Sequence, residues 1–91
     1  MMEFEWDAPK AAINLRKHGV SFDEAASVFL DQLAVFGQDP DHCVGKFRCI
    51  TFGLSSLGRL LPVSHTYRLG AMRMINARRV TRLERKLYEE G

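Results

Sequence analysis

The chain has 91 residues, 46% hydrophobic and 26% charged, with a formal net charge of +2. This is the length of one domain, residues 1–91, and a globular composition; it excludes a disordered chain and leaves any site to be built on the surface of the main core. No apolar run approaches the roughly 18 residues of a bilayer span, and Met1-Met2-Glu3-Phe4-Glu5-Trp6 lacks the regions of a signal peptide, so a cytoplasmic protein with no membrane role is expected.

Glu3 to Trp6 alternate polar and apolar, as a short edge strand or extended arm does. Asp7 reads as an N-cap, with Pro9 in the first turn, and predicts a helix over 8–18 that ends on Lys17 and His18 before Gly19. Ser21-Phe22-Asp23-Glu24 has the form of a capping box, with Val20 placed to staple against Ala25. The second helix carries Phe22, Ala25, Ala26 and Phe29 on one stripe and ends at Asp31.

The period then changes to two. Strands are predicted over 33–36, 46–54, 59–67 and 71–78, separated by a polar loop over 37–45 and by turns at 55–58 and 68–70, which makes an antiparallel meander of about four strands. Pro62 must sit at an edge, at a bulge, or with its missing N–H facing away from a partner. From Arg79 to Glu90 the period is helical again, with Val80, Leu83 and Leu87 as a buried stripe and Arg79, Arg82 and Lys86 as a basic one. The fold class expected is α+β, with two N-terminal helices and one C-terminal helix against the sheet.

Charge is divided unevenly along the chain. Residues 1–45 carry 3 Lys/Arg against 8 Asp/Glu, a balance of −5, and residues 46–91 carry 10 against 3, a balance of +7. A polyanion, or an acidic protein held on one side, is the partner this division suggests. Cys43 and Cys49 lie six apart with no CxxC pattern, so two reduced thiols are expected. Asp39-x-Asp41-His42 is the nearest approach to a metal-binding cluster and reads as a solvated turn; no metal or other cofactor is expected.

Several residues match a known pattern. Phe4-Glu5-Trp6-Asp7, then Lys10, Asn14 and Lys17 through Ala25 (K-H-G-V-S-F-D-E-A), are similar to the opening of the BrnT toxin family. Arg73 through Glu89, with its Ala77-Arg78-Arg79 and Glu84-Arg85…Tyr88-Glu89, resembles that family's end, departing from it at Asn76, where a Ser or Thr is expected. The resemblance implies a RelE-like α+β fold and an endoribonuclease that inhibits translation. It also implies neutralisation by an adjacently encoded, BrnA-like antitoxin, through which alone DNA would be contacted.

Cleavage of RNA without metal uses the 2′-hydroxyl as nucleophile and needs a base, an acid and cations around the phosphorane. His18 and His65 are the candidates for proton transfer. His18 is equally explained by helix capping, and His65 points into the core or out of the sheet according to which face Leu61, Val63 and Tyr67 cover. Arg48 and Arg73 rank first among the cations, because a charge within an apolar strand needs a reason. Arg78, Arg79 and Arg82 are further phosphate candidates, and Lys17, Tyr67 and Tyr88 are donors or stacking platforms. A basic module that binds RNA, the ribosome or only an antitoxin, without catalysis, has the same charge pattern.

Overall fold

The computed structural model describes residues 3–36 and 48–90. Its elements in chain order are β1 (Glu3–Glu5), α1 (Ala8–His18), α2 (Phe22–Ser27) with a 3₁₀ turn (Val28–Leu30), β2 (Val35–Phe36), β3 (Cys49–Leu54), β4 (Leu60–Arg68), β5 (Ala71–Ala77) and α3 (Arg82–Glu90). The expected α+β class holds, and β2 to β5 form the antiparallel meander. One correction concerns β1, which joins the sheet parallel to β5, so the sheet is mixed and five-stranded in the order β1-β5-β4-β3-β2. Its three residues pair with a strand 68 positions later, a contact that no local pattern encodes.

The helices begin and end for local reasons. Asp7 is the N-cap of α1 in extended conformation without a side-chain hydrogen bond, and Gly19 closes the helix in the left-handed region at φ 71°, its N–H donating to the Leu15 carbonyl at 2.8 Å. At α2 the Ser21 hydroxyl accepts the Glu24 N–H at 3.0 Å. The reciprocal half of the expected capping box does not form, because the Glu24 carboxylate turns inward to Arg59 and Ser55. A complete box stands instead at α3: the Glu84 N–H donates to the Thr81 hydroxyl at 3.2 Å, and the Thr81 N–H donates to the Glu84 carboxylate at 2.9 Å.

The core lies between the helices and one face of the sheet. Val20, Phe22, Ala25 and Val28 from the helical side meet Leu61, Val63, Met72, Met74 and Ala77 from the strands, with Phe4, Trp6, Ala11 and Phe29 packed at the margin. Gly53 is required here: a Cβ at this position would stand 2.9 Å from a Val28 methyl carbon. The stripe expected to be buried on α3 is corrected, since Leu83 and Leu87 are 66% and 63% exposed. Ion pairing and capping at its first turn anchor this helix, and α3 contains no fully buried side chain.

Pro62 lies in the interior strand β4, opposite Phe52 of β3. Its carbonyl accepts the Arg78 N–H at 3.4 Å, so its missing N–H faces the same side, just past the end of β5, and only the reciprocal bond of that terminal pair is forgone. Cys49 is buried at the start of β3 and held in a disulfide, which corrects the expectation of two reduced thiols at this position. Cys43, the loop over 37–45, the Asp39-x-Asp41-His42 cluster and the first two residues of the strand expected over 46–54 lie outside the described residues, apart from Arg48 onward.

Candidate functional site

Period two decides which strand residues reach the face of the sheet away from the core. Met72 and Met74 face inward, so Arg73 between them faces outward. The register carries this row across three strands: Glu5 of β1 stands opposite Arg73, Arg73 opposite Thr66 of β4, and Arg48 lies one residue beyond the Cys49–His65 pair, next to Thr66. A cationic row across the outer face is the result.

The alternation breaks once, and the break shapes the site. Met74 and Ala77 are three residues apart yet both buried, which strict alternation forbids. The register shifts here, with His65 opposite Met74 and Ser64 opposite Asn76, leaving Ile75 as the extra residue of a β-bulge. Ile75 and Asn76 are both only partly buried, between the inward Met74 and Ala77. Ile75 is common to two adjoining grooves, as is Lys10 of α1.

The first groove, about 230 Å³, is lined by Lys10, Arg48, Thr66, Arg68, Arg73, Met74 and Ile75. The second, about 180 Å³, brings Lys17 and His18 together with Asn14 and Asn76. Asn14 fixes the angle between α1 and the sheet. Its side-chain amide donates to the carbonyls of Val20 and Ala77, both at 2.9 Å, and its oxygen accepts the Ala77 N–H at 3.2 Å. Three hydrogen bonds to one buried side chain hold the end of α1, and so Lys17 and His18, against the end of β5.

Arg48 and Arg73 thus share a groove, with Lys17 and His18 in the adjoining one. The other sequence candidates stand elsewhere. Arg78 is bound by Glu84 through two parallel hydrogen bonds of 2.8 Å, and this pairing, with the backbone bond from Thr81, holds the Glu84 carboxyl down to about 2. Arg79 is exposed beside Gly19, and Arg82 is exposed at the first position of α3. The Tyr88 hydroxyl donates to Asp31 at 3.3 Å and, with Val35, Phe52, Glu84 and Leu87, lines an apolar cavity under α3. Tyr67 is exposed on β4.

His65 is 1% exposed, inside the core. Its Nε2 meets the Thr51 hydroxyl at 2.7 Å, Phe29 packs edge-on with ring centroids 5.0 Å apart, and burial pushes its pKa down to about 4.

Sequence reasoning missed Lys10 and Arg68 as groove residues. Lys10 was visible in the motif quoted for the N-terminal helix, whereas Arg68, at a turn, carried no signal. It also missed the clamp behind the site. Glu24, almost fully buried, accepts hydrogen bonds from the Arg59 guanidinium through both carboxylate oxygens, one of them with Nε at 2.8 Å, and from the Ser55 hydroxyl at 2.6 Å. Arg59 first, and then Ser55, keeps that carboxyl below its ordinary range against the opposing effect of burial. Arg59 also donates to the Gly19 carbonyl at 2.9 Å, tying the β3–β4 hairpin to the turn that carries His18.

Among the described residues no three His, Cys, Asp or Glu side chains gather as a metal site, and no helix is long and apolar enough to cross a membrane. Comparison with solved structures finds the same small α+β fold elsewhere. The crystal structure of the Brucella abortus ribonuclease toxin BrnT superposes with a TM-score of 0.69 at 20% identity, covering 90% of this chain and all of that one. No curated protein matches the sequence. The model of the BrnT family, described as the ribonuclease toxin of a type II toxin–antitoxin system, matches residues 6–84, and the chain belongs to that family. Membership implies an antitoxin partner.

Proposed function

We propose that this chain is a metal-independent endoribonuclease of RelE-like kind, acting as one toxin domain in the cytoplasm, which cuts RNA in the joined grooves and so inhibits translation. The observation that carries this reading is the meeting of Arg48, Arg68, Arg73 and Lys10 in one groove, continuous through Lys10 and Ile75 with the one that holds Lys17 and His18. An RNA phosphate lies among the arginines, whose planar forks match its oxygens and stabilise the added negative charge of the phosphorane. The 2′-oxygen attacks phosphorus and loses its proton while the bond to the 5′-oxygen breaks and that oxygen gains one. The products are a 2′,3′-cyclic phosphate and a 5′-hydroxyl. His18 is the proton-transfer group at the groove and Lys17 a phosphate contact. His65, enclosed in the core, serves the fold.

The partner is a BrnA-like antitoxin that covers the grooves with acidic side chains in place of phosphates, and DNA is reached only through that complex. The test uses purified protein and RNA. Cleavage should persist in a chelator and fall on the order of a hundredfold in Arg48→Ala or Arg73→Ala while the circular dichroism spectrum is unchanged. Binding without cleavage in the wild-type protein would replace this reading with a non-catalytic RNA-binding module.

A further inference from the structure

A carboxylate stands beside two arginines of the first groove. One oxygen of Glu5, Oε1, lies 3.4 Å from Arg73 Nη1 and 3.4 Å from Arg68 Nε. This placement follows from the construction of β1. Phe4 packs on Phe29, with centroids 5.5 Å apart, and Trp6 meets Phe22 edge-on at 5.9 Å. Both anchors face the core, so the residue between them faces outward, and the parallel register sets it opposite Arg73. At 3.4 Å neither contact is a close hydrogen bond, so the carboxylate keeps acceptor capacity while its charge is balanced by two guanidiniums.

An anion at this point serves a phosphodiester strand badly unless the strand offers a donor. Phosphates and the backbone sugar of DNA are acceptors only, and each is repelled by a carboxylate; the ribose 2′-hydroxyl can donate to it. We infer, resting on the reading of this groove as an RNA site, that Glu5 is its sugar-specificity residue: it accepts a hydrogen bond from the 2′-hydroxyl next to the phosphate held by Arg68 and Arg73, and turns away DNA. The cations attract either nucleic acid, and Glu5 distinguishes them.

The experiment measures binding, so that it does not depend on turnover. Two oligonucleotides of one sequence are compared by fluorescence anisotropy in mildly alkaline buffer: a 2′-deoxy strand, and a 2′-amino strand that keeps a donor at that position but lacks the nucleophilic hydroxyl. The wild-type chain should prefer the 2′-amino strand. In Glu5→Ala, which removes the acceptor, the deoxy strand should gain affinity and the ratio should fall on the order of tenfold. Glu5→Gln, which keeps size, β1 packing and an amide oxygen acceptor but no charge, should keep part of the ratio. Equal gains for both strands, with the ratio unchanged, would show Glu5 to be a counterion without selectivity and overturn the inference while leaving the RNA site intact. A wild-type protein that binds neither strand overturns the RNA site itself, and this inference with it.

Discussion

A neutral histidine sealed in the core makes this protein sensitive to acid well above the range in which carboxylates titrate. His65 has a folded-state pKa of about 4 against an ordinary 6.5, so the unfolded chain binds its proton first. Its contribution is fully present above pH 6.5 and is lost as pH falls toward 4, amounting to roughly 2 kcal/mol by pH 5. Glu24, Asp31 and Glu84, all held below their ordinary values, add their own losses only below about pH 4.5, through the fall of Glu84 to about 2. Urea midpoints measured at pH 7 and pH 5 should therefore differ in the wild type and converge in His65→Leu, although that variant is less stable at pH 7 for want of the Thr51 contact. A wild-type midpoint that does not move between these pH values contradicts the buried neutral ring. The sequence left His65 open between core and surface because strand alternation tells which residues share a face, and not which face is covered.

At the scale of elements, the hairpin joining β4 and β5 turns on Leu69 and Gly70, with φ of 52° and 81°. Two central residues with positive φ mark the turn that favours Asn-Gly, and a leucine in the left-handed region clashes with its own backbone. Leu69 is 95% exposed, so no packing offsets this strain. Leu69→Asn should stabilise the chain by about 0.5–1 kcal/mol, seen as a rise of a few degrees in Tm, with groove chemistry unaffected. An unchanged or lower Tm would show the turn to be unstrained. The position of this turn was legible from Arg68-Leu69-Gly70, as were the bounds of α1 from Asp7, Pro9 and Gly19. The bulge at Ile75 was not, because it appears only once Met74 and Ala77 are known to face the same core.

For the molecule as a whole, the acidic and basic halves of the chain do not form two separate faces. Glu24 is matched to Arg59, and Glu5 to Arg68 and Arg73, pairs drawn from opposite halves, while the grooves take Lys10, Lys17 and His18 from the acidic half. Counterion release should thus track the groove and not the composition. With Lys10, Lys17, Arg48, Arg68 and Arg73 on phosphates, the logarithm of RNA affinity should fall with the logarithm of salt at a slope of about −3.5. Arg48→Ala should flatten that slope by close to one contact, and Arg78→Ala, whose side chain is already paired with Glu84, should leave it unchanged. Equal flattening in both variants would place RNA on the end of the sheet near α3.

What the sequence determined by itself is whatever depends on neighbours within a few positions: the bounds of α1, the apolar stripe of α2, the change of period near Leu33, the turns, and a family signature dense enough to be read at both ends. What it left to the tertiary structure depends on partners far along the chain. Glu24 has the local form of a capping residue, yet an arginine 35 positions away takes its carboxylate. Arg78 looks like a phosphate ligand until Glu84 is found holding both arms of its fork. Glu5 reads as part of an acidic opening until β1 is laid beside β5 and its carboxylate stands between two arginines. Charges interact through space as the inverse of distance, so the local sequence shows which charges exist, and only the packed sheet decides which of them remain to meet a ligand.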